Sequence, residues 1–199
     1  MNQLLEDHKA HFPKWKSLLF RGYSIVCYGL GSKKKLLEEF QQLLQQNDVV
    51  VVNGFFPQLT TKNILKTITE DILEISGSFN SNSETIAAIF EAITEDLFLI
   101  IHNIDGQKLR SSEAQSDICR LISHPKIHLV CSLDHGNAGL LWDHQCRSNL
   151  NPIWFDCTTF RPYTEEGVGG NMKTQLASLW RVWPSLTSNG KNIYKIIIK

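Results

Sequence analysis

Ser24-Ile25-Val26-Cys27-Tyr28-Gly29-Leu30-Gly31-Ser32-Lys33-Lys34-Lys35-Leu36 decides the fold. Its first five residues are a short apolar run that stops at a glycine, the pattern of a buried strand. From Lys33 the period changes. Leu36, Leu37, Phe40, Leu43 and Leu44 recur at helical spacing, with Lys, Glu and Gln between them. Strand, glycine loop with lysine, then helix is the setting of a phosphate-binding loop. The full motif is G-x-x-x-x-G-K-[ST]: successive N–H groups wrap the phosphate, the lysine neutralises it, and the hydroxyl holds Mg²⁺. Here Gly29 and Gly31 stand two apart instead of five, so the loop is three residues short. Ser32 separates the second glycine from Lys33, and Lys34 stands where the hydroxyl is required. A dinucleotide loop fails too. G-x-G-x-x-G needs glycine at 34 and an acidic residue after the second strand, which runs into Asn53.

Working outward, Leu4 to Leu19 reads as helix, broken or restarted at Pro13. Val49 to Val52 is β-branched throughout and reads as a second buried strand. Ile64, Leu65, Ile68, Ile72 and Leu73 mark an amphipathic helix. Ser81 with Glu84 and Ser112 with Gln115 carry the capping-box spacing ahead of two more helices. Leu97 to Ile101, Ile127 to Leu133 and Ile153 to Phe155 read as the remaining strands. This alternation predicts an α/β fold, a parallel sheet with helices on both faces, whose ligands sit at the carboxyl ends of the strands. Gly29–Lys35, His102–Asp105 and Ser132–His135 are expected to meet there. A nucleotide hydrolase of this fold ends its third strand in Asp, usually followed by Glu. This strand ends in His102-Asn103, with Asp105 two residues late. Two parts of the hydrolytic machinery are missing together, which predicts a fold that kept its shape without its reaction.

Of 199 residues, 42% are hydrophobic and 20% charged, enough apolar material for a sizeable core. Twenty Lys and Arg balance twenty Asp and Glu, which argues against a uniformly basic nucleic-acid binder. No apolar run approaches the ~20 residues that span a bilayer. The start lacks a basic-then-apolar leader, so a soluble chain is expected. The five cysteines, Cys27, Cys119, Cys131, Cys146 and Cys157, are scattered, odd in number and free of C-x-x-C. They predict neither a disulfide framework nor a zinc ribbon, and fit a reducing compartment.

Six blocks in order carry a resemblance over about Phe12 to Lys199. They are Tyr28-Gly-Leu-Gly-Ser-Lys33, Asn53-Gly-Phe-Phe-Pro57, Leu97-Phe-Leu-Ile-Ile-His-Asn-Ile-Asp105, Asp134-His135, Leu141-Trp-Asp-His144 and Pro162-Tyr-Thr-Glu-Glu166. Together they resemble subunit 2 of the eukaryotic origin recognition complex. The resemblance implies a P-loop NTPase-like (AAA+-like) domain with a degenerate nucleotide site. It implies a non-catalytic nuclear scaffold subunit in a ring that encircles double-stranded origin DNA and helps load the replicative helicase. It also implies other origin recognition complex subunits as partners, subunit 3 above all, and neither cofactor nor membrane. The domains expected from it are an N-terminal helical segment (1–22), the AAA+-like domain (23–166), a linker and lid-like helix (167–184) and the opening helix of a truncated winged-helix domain (185–199). Two other readings stay open: a divergent P-loop ATPase that uses Gly29, Gly31, Ser32 and Lys33, and a free-standing DNA-binding module.

Lys33, Lys34 and Lys35 are candidates for touching nucleic-acid phosphate, or form a solvated helix start. Arg147 and Arg161 are candidate interface residues that reach a neighbour's nucleotide. Ser132, Asp134 and His135 read as a polar strand-end cluster, because sequence neighbours rarely give triad geometry and no G-x-S-x-G is present. Ser132 also falls where AAA+ proteins place a residue that senses the γ-phosphate. His8 with His11, His124 with His128, and His144 with Cys146 lack the third and fourth ligands that zinc needs. Trp142, Trp154, Trp180, Trp183, Phe155 and Phe160 are expected in core packing or protein contact ahead of base stacking.

Overall fold

The computed structural model describes residues 2–75, 77, 79–136, 140–164 and 166. The chain divides into a unit of residues 1–163 and a second of residues 164–199. The linker, lid-like and winged-helix expectations for 167–199, with Trp180 and Trp183, lie outside the described residues.

Two short helices, α1 (Asn2–Lys9) and α2 (Phe12–Leu19), open the chain. Pro13 sits in the first turn of α2, where its missing N–H costs nothing. Then follow β1 (Ser24–Tyr28), α3 (Lys34–Gln42), β2 (Asp48–Asn53) and α4 (Thr61–Thr67). A π-helical turn, Ile68–Ile72, continues α4, so the predicted helix is regular only in its first half. The remaining elements are α5 (Asn82–Ala92), β3 (Leu97–His102), α6 (Ser112–Ile122), β4 (Ile127–Ser132), α7 (His144–Leu150) and β5 (Pro152–Asp156).

The five strands are all parallel, in the order β2-β3-β4-β1-β5. Their period-two alternation divides the core between two faces. Ile25, Cys27, Phe98, Ile100 and Val130 pack with Trp15, Leu36, Leu37 and Phe40 from α2 and α3. Val26, Leu99, Ile101, Leu129 and Cys131 pack with residues of α4, α5, α6 and α7. Helices therefore cover both faces, as the alternation predicts.

Two readings are corrected. β2 is an edge strand, not a buried one: Val50 and Val52 are buried, whereas Val51 is 36% exposed. A β-branched run marks a strand but not its place in the sheet. The cap of α6 is Ser111, one residue earlier than predicted, whose side chain accepts from the N–H of Ala114. Gln115 is instead a core residue, 1% exposed. Its Nε2 donates to the carbonyls of Ile104 and Leu109, and its Oε1 accepts from Trp142 Nε1 at 2.7 Å. The Ser81 cap of α5 stands where predicted, accepting from the N–H of Glu84.

Candidate functional site

β1 and β4 are neighbours, but the helices that follow them leave to opposite faces, α3 to one and α7 to the other. That is the switch point at which open α/β sheets form their crevice. The register Cys27↔Ser132 brings the Gly29–Lys33 loop beside Asp134. The three predicted segments do converge here. The Asn103 N–H donates to Ser132 Oγ at 2.9 Å, and Asn103 Nδ2 donates to Asp134. Asp105 Oδ2 accepts from the N–H groups of Asp134 and His135, at 3.3 and 2.8 Å. Asp105 thus holds the β4 loop. Ser132 and Asp134 belong to this strand-end network rather than to a hydrolytic triad.

Lys33 corrects the sequence reading most sharply. It is neither solvated nor turned toward an outside phosphate; it is 1% exposed. Its Nζ donates to Asp134 Oδ1 at 2.5 Å, to the Gly29 carbonyl at 2.8 Å and to the Gly31 carbonyl at 2.9 Å. All three ammonium protons have acceptors within the chain. A loop this short curls back on the lysine that follows it, and its carbonyls, not a phosphate, surround the charge.

The loop's N–H groups are likewise turned to the protein. Leu30 donates to Thr158 Oγ1, Gly31 to the Tyr163 hydroxyl at 3.1 Å, and Ser32 to the Arg161 carbonyl at 3.0 Å. The Tyr163 hydroxyl also donates to Asp134 Oδ1 at 3.2 Å. The segment after β5 therefore lies over the loop. Gly31 has φ +93°, and a Cβ there would come within 2.6 Å of the main-chain nitrogens of Phe160 and Arg161. Only glycine admits so close a cover.

His102 stands where a hydrolase of this fold keeps its metal-holding Asp. It is 1% exposed, and burial, aided by the neighbouring Lys34 ammonium, brings its pKa down to about 4. A neutral imidazole beside a lysine does not replace a carboxylate and a hydroxyl around Mg²⁺. No group of three or more His, Cys, Asp or Glu among the described residues could hold a metal ion. The residues present do not fit a magnesium-bound triphosphate. What remains of the crevice is a cavity of about 520 Å³, walled by Tyr28, Leu30, Leu133 and Trp154.

The other candidates are dispersed. Lys34 and Lys35 start α3, the first half-buried and the second exposed. Arg147 is exposed on α7, and Arg161 belongs to the segment that covers the loop. Trp142 is core, whereas Trp154 and Phe160 are 42% and 62% exposed. Sequence reading missed Tyr163, Thr158 and Thr159 as loop partners. Only their position after β5, the strand beside β1, could have pointed to them.

The strand order, the loop between β1 and α3, and the occupied lysine define an AAA+-like domain of the RecA-like kind with a degenerate phosphate loop. Solved structures share the fold at low identity: the Aeropyrum pernix ORC1 protein in complex with DNA aligns at TM-score 0.56 and 15% identity, over 85% of this chain and 49% of that one. The family model for the origin recognition complex subunit 2 RecA-like domain matches residues 1–157, and the chain belongs to that family. Drosophila melanogaster origin recognition complex subunit 2 is 43% identical over 211 aligned residues, covering 100% of this chain and 34% of that protein. The chain thus spans about a third of that relative's length. A structure of Drosophila ORC bound to AT-rich DNA and Cdc6 contains a chain that aligns at TM-score 0.81 and 44% identity, over 99% of this chain and 69% of that one.

Proposed function

We propose that this domain is a non-catalytic wall of a nuclear origin recognition complex, acting in the initiation of DNA replication. One observation carries this reading: the Lys33 ammonium is enclosed by Asp134 and two loop carbonyls, in the place where a working loop holds phosphate. A relative seen in a complex with DNA supports double-stranded origin DNA as the ligand of the assembly. Other subunits of the complex, subunit 3 first, are the partners. A stable neighbour requires well over roughly 1,000 Å² of total interface. Half-buried Lys34 and exposed Lys35, at the start of α3, are the DNA-contact candidates that remain once Lys33 is buried. Arg147 and Arg161 are the interface candidates. The boundaries 1–22, 23–166, 167–184 and 185–199 stand as the proposed domain division.

Two measurements test this. Co-expression with a subunit 3 partner, followed by sizing chromatography, should give one stable complex, and separate elution defeats the scaffold reading. Calorimetry at millimolar MgATP should show no binding to the chain alone, and saturable binding that Lys33→Ala abolishes would reinstate the divergent ATPase.

A further inference from the structure

β2 closes one side of the sheet, and among the described residues no strand lines its outer edge. The N–H and C=O groups of alternate residues therefore point away from β3 without a ladder partner. Sheet edges are ordinarily blunted by a lysine, a proline or a bulge. β5, the opposite edge, opens on Pro152. β2 has none of these devices. It reads Asp-Val-Val-Val-Val-Asn, its one charge stands at its first residue, and its register with β3 runs unbroken from Asp48 to Asn53. A groove of about 490 Å³ flanks the start of the strand, walled by Gln41, Gln45, Asn47 and Val49. Just past its end stands Phe56, 47% exposed, with its ring against that of Phe55 at 4.7 Å between centroids.

We propose that the outer edge of β2 pairs antiparallel with the same edge of a second copy of this chain, joining two sheets into one. The two-fold axis of such a pair stands perpendicular to the sheet, so each face continues into the same face of the other copy. Residues opposite one another must then point to the same face. Val50 and Val52 belong to the apolar cluster beneath α4 to α7, whereas Val49 packs with the cluster beneath α2 and α3. A register centred on Val51 satisfies the requirement. Val51 meets its own twin, Val50 stands opposite Val52, and Val49 opposite Asn53. The exposed side of Val51 is covered, and the Val50 and Val52 pairs extend the buried face.

The ends of the strand decide the direction and the occupant. A parallel pair in register sets Asp48 beside Asp48, and like charges side by side destabilise a sheet. The antiparallel pair sets Asp48 opposite Gly54 instead. It also brings the carboxyl end of one strand to the amino end of the other, which places the exposed Phe56 beside the groove at Gln45 and Asn47, twice by symmetry. One strand thus carries both the apolar projection and the recess, and a second copy supplies the matching set. A net charge of zero sets no long-range repulsion against it. The edge lies apart from the Lys33 loop, so this surface does not rest on the functional reading above.

Sedimentation and light scattering of the whole chain across roughly 1–500 µM test it. A strand pair this short covers less than the roughly 1,600 Å² of a standard interface, so a weak dimer is expected, with Kd on the order of 10–100 µM. Hydrogen exchange should show the Asp48–Asn53 amides slowing as concentration rises, while β5 is unaffected. Val51→Lys and Val51→Glu should each raise Kd by roughly tenfold or more, because like charges then meet on the axis. Mixing the two variants should restore a dimer, and circular dichroism shows that each is folded. Phe56→Ser should weaken the dimer without changing the register. A monomer at every concentration overturns the proposal. So does a dimer that Val51→Lys leaves intact, or protection of β2 that appears only in a complex with subunit 3. The wild-type measurements decide even if a variant fails to fold.

Discussion

Lys33→Met tests whether the loop lysine serves the fold or a nucleotide. Methionine keeps the length of the side chain and removes its three donors. The change deletes the charge-assisted bond to Asp134 and leaves the carbonyls of Gly29 and Gly31 without that partner. Breaking a fully buried ion pair from one side costs about 3–5 kcal/mol. Asp134 is 22% exposed on its side chain and keeps the Asn103 and Tyr163 donors, so its charge is only partly stranded. The lower end applies, about 3 kcal/mol. For a chain of this size that lowers Tm by about 6–12 °C. Urea and thermal unfolding at neutral pH measure it. Asp134→Asn and the double variant complete a cycle, with an expected coupling above about 1.5 kcal/mol. A loss under about 1 kcal/mol, or a coupling near zero, would refute the buried-pair reasoning. So would wild-type ATP affinity that vanishes in Lys33→Met.

Gly31→Ala should cost about 2–3 kcal/mol, because it joins a positive φ to a clash with main-chain nitrogens that cannot move aside; a neutral effect in urea titration would mean that the cover segment is loose. Gln115→Leu strips Trp142 Nε1 and the carbonyls of Ile104 and Leu109 of their partner and should destabilise by about 2–4 kcal/mol; unchanged thermal unfolding would contradict the network. His102 has a folded pKa of about 4, below its unfolded value, so the unfolded chain takes the proton first. Its contribution is whole above about pH 6.5 and is lost as pH falls toward 4, some 3 kcal/mol in total. His102→Gln should flatten the stability profile in that window, and an unaltered slope would show that His102 is not the group responsible.

Local regularities carried most of the fold into view. β1 lies where the run Ser24 to Tyr28 places it, α3 follows from its leucine spacing, and the alternation implied a parallel sheet covered on both faces. These signals are legible because strand and helix periods repeat within a few residues. The shortened loop was legible for the same reason, since counting residues between Gly29 and Lys33 needs no structure. Strand order was not legible, so the edge position of β2 came only from the sheet. The role of Gln115 was hidden because a capping spacing and a core hydrogen-bond network use the same residue type.

By itself, then, the sequence determined that a phosphate cradle was missing and that its surrounding fold was kept. Only the tertiary structure decided what took the phosphate's place. The partner of Lys33 lies 101 residues away and reaches it through the parallel register of β1 with β4. The cover on the loop arrives from beyond β5, some 130 residues on. No local pattern encodes such meetings. A buried ammonium must find acceptors, and which ones it finds depends on how distant segments close over it.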